Sequence, residues 1–186
     1  MPLTTYTSGE VLTAASLNAN LSFASTNGGL VFVKSQVIGS AVASVNVTSA
    51  FSTTYDSYKI IINGGVGSAN QDLFLKLGST TTGYYYSQQF VSYAGVGTSS
   101  GAANQASFGF ITYNTNTLFV NIEVHNPFLS SPTVVNSINV DPTITGRTSA
   151  AQGYLANSTS YTDFTLTPGG GTITGGTIYI YGYAKA

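Results

Sequence analysis

His125 is the chain's only histidine and the one side chain whose ordinary titration range suits a general base near neutral pH. A Ser-His-Asp site would need it oriented by Asp141 or Asp163 and set against one of many serines, and nothing in the spacing selects such a trio. His125 falls instead on the outward parity of a strand just ahead of Asn126-Pro127, where an exposed histidine needs no catalytic explanation. The carboxylates Asp56, Asp72, Glu123, Asp141 and Asp163 are isolated in sequence, so a glycosidase pair would have to assemble in space from a total of six acidic residues. Asp72 or Asp141 could join loop carbonyls around calcium. Asp56 is placed to bond the backbone of its own turn between Thr54 and Tyr58. Gly64-Gly65 and Gly169-Gly170-Gly171 open no helix and carry no lysine of the kind a phosphate loop uses, so they are turns. The expectation is a protein without catalytic residues, cofactor or metal.

Binding offers more than catalysis. Tyr84-Tyr85-Tyr86 with Gln88 and Gln89 places aromatics beside amides, a combination that stacks on sugars and bonds their hydroxyls. Tyr84, Tyr86 and Gln88 are the candidate glycan contacts. The competing reading turns Tyr85 into the core and lays the others over a contact between subunits. Tyr179, Tyr181 and Tyr183 pose the same choice, since tyrosine is enriched at protein interfaces.

The elements that position these residues follow from composition and periodicity. A chain of 186 residues suits one domain plus a short appendage. Only 6% of residues are charged, so serine, threonine and asparagine must carry its solubility. Lys34, Lys59, Lys76, Arg147 and Lys185 form no patch, which disfavours nucleic acid as a partner. Cysteine is absent, leaving packing or association to supply stability. The opening Met1-Pro2-Leu3-Thr4-Thr5 lacks the basic region and apolar core of a secretory signal, and no stretch is long enough to insert in a membrane.

Residues 7 to 24 read as one short N-terminal helix, with Thr7-Ser8-Gly9-Glu10 as a capping box, Tyr6 stapled onto Val11, and Gly28-Gly29 as its end. Val11, Leu12, Ala15, Ala19 and Phe23 form one apolar stripe, and Ala14, Leu17, Leu21 and Ala24 a second. Such a helix is marginal alone and must lie on the β domain or bundle with copies of itself; two apolar sides favour the bundle. Val11, Leu12, Leu17 and Leu21 are therefore the oligomerisation candidates. Residues 1–29 form this anchor, and 30–186 the β domain.

From Leu30 on, about ten strands follow with no helix between them, which predicts an all-β antiparallel two-sheet sandwich, a jelly roll ahead of an immunoglobulin-type arrangement. Leu118, Val120, Ile122 and Val124 take the inward parity of their strand. The small residues of Ala94 to Asn104 read as a flexible loop. In the final strand, Ile178 and Ile180 oppose Tyr179, Tyr181 and Tyr183, predicting cover on both sides and insertion between strands already made, beside Tyr55 to Asn63.

Tyr6-Thr7-Ser8-Gly9-Glu10-Val11-Leu12-Thr13-Ala14-Ala15-Ser16-Leu17-Asn18-Ala19-Asn20 resembles the opening of tail-fibre and other appendage proteins of tailed bacteriophages. Phe51-Ser52-Thr53-Thr54-Tyr55-Asp56-Ser57-Tyr58-Lys59-Ile60 and Gly176-Thr177-Ile178-Tyr179-Ile180-Tyr181-Gly182-Tyr183 resemble the first and last signatures of a jelly-roll module in phage virion proteins, common in marine and cyanobacterial phages. The resemblance implies a homotrimeric, non-enzymatic virion component, docked on other virion proteins through its N-terminal segment and displaying the β domain. Its attachment would be to the tail, with host adsorption and a surface glycan as receptor, or to the capsid as a decoration or head fibre. A free carbohydrate-binding module is the reading outside that family. Tyr179 stands where the family would carry a basic residue, so its surface chemistry is not transferred.

Overall fold

The structure is a computed structural model that describes residues 5–26, 29–113, 117–140 and 146–185, with side chains excepted at 23–26 and 110–113. One helix, α1 (Ala14–Thr26), precedes β1 (Leu30–Val37), β2 (Val45–Val47), β3 (Ser57–Asn63), β4 (Val66–Gly67), β5 (Gln71–Leu77), β6 (Tyr84–Ser92) and β7 (Gly97–Gln105). Then come β8 (Phe108–Tyr113), β9 (Phe119–His125), β10 (Thr133–Val140), β11 (Arg147–Leu155), β12 (Phe164–Pro168), β13 (Ile173–Thr174) and β14 (Thr177–Tyr183).

The pairing is that of a jelly roll. β1 pairs with β14, β2 with β12, β3 with β9 and β5 with β8, all antiparallel, as when a long hairpin is rolled onto itself. This gives a four-stranded sheet β2-β12-β5-β8 facing β1-β14-β3-β9. Two inserted hairpins widen the latter: β6–β7 leaves the chain between β5 and β8, and β10–β11 between β9 and β12. They join as β9-β10-β11-β6-β7, making eight strands in all. A short β4–β13 ribbon ties the Gly64-Gly65 and Gly175-Gly176 turns together, all four glycines at positive φ.

Alternation does what the sequence predicts in the central strands. Ile60, Ile62, Ile122, Val124, Ile178 and Ile180 are wholly buried on one side of the large sheet, facing Leu73, Leu75, Leu77, Phe164 and Leu166 from the small one. β14 lies between β1 and β3, beside the predicted partner. Gly182 continues its inward parity; a Cβ there would overlap the Tyr55 ring, so the last glycine of the strand makes room for an aromatic.

Three expectations are corrected. The helix starts at Ala14, because Gly9 at φ +94° turns the chain out of helical geometry after a single turn. The capping-box bond itself forms, Thr7 N–H donating to Glu10 Oε2 at 2.8 Å. Thr13 is the working cap, its Oγ1 accepting from Ser16 N at 3.2 Å. Val11 and Leu12 therefore precede the helix and form no helical stripe, while Gly28 lies outside the described residues. Second, residues 97–104 of the expected loop belong to strand β7, paired with β6 through backbone bonds that need no apolar side chain. Third, the outer face of β14 is not covered by another layer of the described residues: Tyr179, Tyr181 and Tyr183 are half-buried among neighbours in their own sheet, Phe32 meeting Tyr181 edge to face at 5.7 Å.

Candidate functional site

The outer face of the eight-stranded sheet carries the side chains that chemistry could use, and the strand register arranges them in rows. One row runs Leu30, Tyr183, His125, Val134, Tyr154, Tyr85, with Ser57 facing His125. The next runs Phe32, Tyr181, Lys59, Glu123, Asn136, Gln152, Ser87. Beyond them the face turns apolar, with Ile61, Phe119, Ile138 and Val140 lining a shallow hollow of about 320 Å³. Phe119, Ile138 and Val140 are exposed there, as is Val37 near the sheet edge.

In the polar rows His125, Tyr183 and Glu123 have local partners. His125 Nδ1 lies 2.9 Å from Ser57 Oγ, and Asn136 Nδ2 lies 3.4 Å from His125 Nε2. The Tyr183 hydroxyl donates to Glu123 Oε1. Burial first, and then the carboxylate beside it, push the Tyr183 hydroxyl up to about 12.

The glycan candidates fall differently from expectation. Tyr84 is wholly buried in the core, edge to face with Phe108 at 4.8 Å, its hydroxyl accepting from Leu77 N at 2.9 Å and its ionisation pushed up by burial. Gln88 is 6% exposed and donates to Ser100 Oγ. Tyr86 is half-buried, its hydroxyl occupying the space that Gly109 leaves open. These three share the inward parity of β6, so Tyr84 and Gln88 are not a surface contact, while Tyr86 borders the groove beside Tyr85 only at its edge. Tyr85 is the outward tyrosine, which also corrects the competing reading that put it in the core. Its ring stacks on Tyr154 of β11, centroids 5.1 Å apart and planes 11° from parallel. Tyr154 escaped sequence reasoning because its partner is 69 positions away; only the β6–β11 register joins them.

Around this pair lies a groove of about 590 Å³, lined by Tyr85, Tyr154, Val134, Asn136, Gln152 and Ser87 among others. The strand spacing beneath it depends on Gly153, where a Cβ would sit 2.8 Å from the Tyr86 Cβ.

The remaining candidates separate. Asp163 accepts from Ser49 N at 2.9 Å and so orients a backbone turn. Asp56 does not close its own turn with its carboxylate; it forms an exposed ion pair with Lys185 at 2.7 Å. Asp72 is raised by burial against the opposing pull of Arg147, and Asp141 lies outside the described residues. Among the described residues no three His, Asp or Glu side chains gather as metal ligands, and no helix is long and apolar enough to cross a membrane. Leu12, Leu17 and Leu21 are exposed, as is Val11.

What the fold defines is a jelly-roll sandwich with one broad outer sheet face. No protein-family model matches the chain, and no curated protein does either.

Proposed function

We propose that this protein is a structural component of a phage virion, a homotrimeric tail-fibre or spike subunit that serves host adsorption. The observation that carries the reading is the helix ahead of the sandwich. It has thirteen residues, a length marginal in isolation, and presents Leu17 and Leu21 one turn apart without cover in a single chain. Copies packed about a common axis would bury that stripe. The exposed Phe119, Ile138, Val140 and Val37 add an apolar sheet face of the kind subunit contacts cover, and the low charge of the chain fits a protein displayed in an assembly. The resemblance of the opening and closing segments to phage appendage proteins gives the same direction.

Catalysis is not part of the proposal. His125 is held by a serine and an amide, while the carboxylate of Asp163 serves a turn. Attachment to the capsid as a decoration or head fibre would use the same helix and the same trimer. Immunogold electron microscopy with an antibody against the sandwich, on tailed particles whose genome encodes the chain, separates the two. Label at the tail supports adsorption, label over the shell selects decoration, and unlabelled particles defeat both.

A further inference from the structure

We propose that the groove over Tyr85 and Tyr154 binds a neutral pyranose sugar. Two stacked rings leave each one face turned away from the other, and on the side of Tyr154 away from Tyr85 stands Val134. Tyr154 is 44% exposed, and the part of its ring that rises above the shorter Val134 is what the C–H face of a sugar would meet. Along the strands, the next row outward lies about 7 Å away, two residues of extended chain. It holds Asn136, Gln152 and Ser87, which offer amide and hydroxyl groups at the distance where the substituents of a ring seated on Tyr154 would fall. The Asn136 amide nitrogen lies 3.4 Å from His125 Nε2, a contact that orients the side chain and leaves its carbonyl oxygen as an acceptor for a sugar hydroxyl.

Charge decides which sugars. No lining residue is an aspartate, glutamate, lysine or arginine, and the neighbouring strand sets His125 beside Val134 and Glu123 opposite Asn136. A neutral ligand needs no counter-charge there, whereas a uronic or sialic acid would find no lysine or arginine in the lining to pair with. The volume of the groove falls within the range of small-molecule sites, roughly 300 to 1,000 Å³.

The site belongs to a single chain, so a monomeric solution mass would leave it standing, and its failure would not touch the assembly reading. The test is saturation-transfer NMR and calorimetry on the full chain with methyl glycosides of glucose, galactose and mannose, and with methyl glucuronide as the anionic probe. At least one neutral glycoside is expected to show saturation transfer, with affinity reduced about tenfold or more, or about 1.4 kcal/mol, in Tyr154→Ala and in Gln152→Ala, and unchanged in Tyr179→Ala. Should Tyr154→Ala fail to fold, Gln152→Ala, altered only at an exposed side chain, decides alone. No transfer from any neutral glycoside, a preference for the glucuronide, or wild-type affinity in Gln152→Ala would overturn the proposal.

Discussion

The two halves of the large sheet face the interior with different residues. In β14, β3 and β9 the inward positions are Ile178, Ile180, Ile60, Ile62, Ile122 and Val124, all wholly buried against the small sheet. In β10, β11 and β6 they include Ser137, Asn139, Ser149, Ala151 and Gln88. Asn139 Nδ2 donates to Ser137 Oγ at 2.7 Å, and Gln88 to Ser100, so polar groups shielded from water bond one another. The four-stranded sheet ends at β8, and the inserted hairpins extend the large sheet past it. The jelly-roll half is thus apolar throughout its inner face, while the added half anchors on the wholly buried Tyr84, Val135 and Leu155 and fills its other inward positions with small or hydrogen-bonded polar residues. The sugar groove lies on the outer face of that mixed half.

This division can be broken from the core outward. Ile60→Ala removes a wholly buried side chain from the jelly-roll half and should cost about 2–5 kcal/mol in urea unfolding. A loss below that of any variant in the added half would reverse the assignment. Gly153→Ala forces apart β11 and β6 beneath the groove and should cost about 1–3 kcal/mol, with hydrogen exchange rising in those two strands before it rises in β3 or β14. Ser137→Ala removes an acceptor from Asn139 and should cost about 1 kcal/mol.

The smallest effect is a pH effect. The Tyr183 hydroxyl is pushed up to about 12, above an ordinary value of about 10, so the folded chain holds this proton more tightly than the unfolded one does. Its stabilisation is therefore whole below about pH 10 and is lost as the pH climbs toward the folded value. Tyr183→Phe should be destabilised by no more than about 1 kcal/mol at neutral pH, and the gap to wild type should close across that alkaline window. A gap independent of pH would show that Glu123 does not act through the hydroxyl.

How much of this was legible in the sequence depended on range. Strands with strict alternation, such as Leu118 to Val124 and Ile178 to Tyr183, declared both their type and their inward side, because burial in a two-sheet fold enforces a period of two. The small-residue strand β7 had no such signal, since its place comes from main-chain bonds to β6. At the helix start, the capping box was read correctly as a local bond, but glycine at its third position let the chain leave the helix. The groove was legible only as a type of chemistry. The Tyr84–Tyr86 run gave tyrosine and amide, but parity put Tyr84, Tyr86 and Gln88 inside, and Tyr154, Asn136 and Gln152 arrive from strands placed beside β6 by the sheet order.

The central claim is that Leu17 and Leu21 are covered by other copies of the same helix. Light scattering on the full chain over a range of concentrations, beside Leu17→Asn/Leu21→Asn, tests it most directly. A stable particle of three times 19.2 kDa is expected for the full chain and a shift toward single chains for the variant, with far-ultraviolet circular dichroism still showing the folded sandwich. A full chain that stays at 19.2 kDa throughout would contradict it.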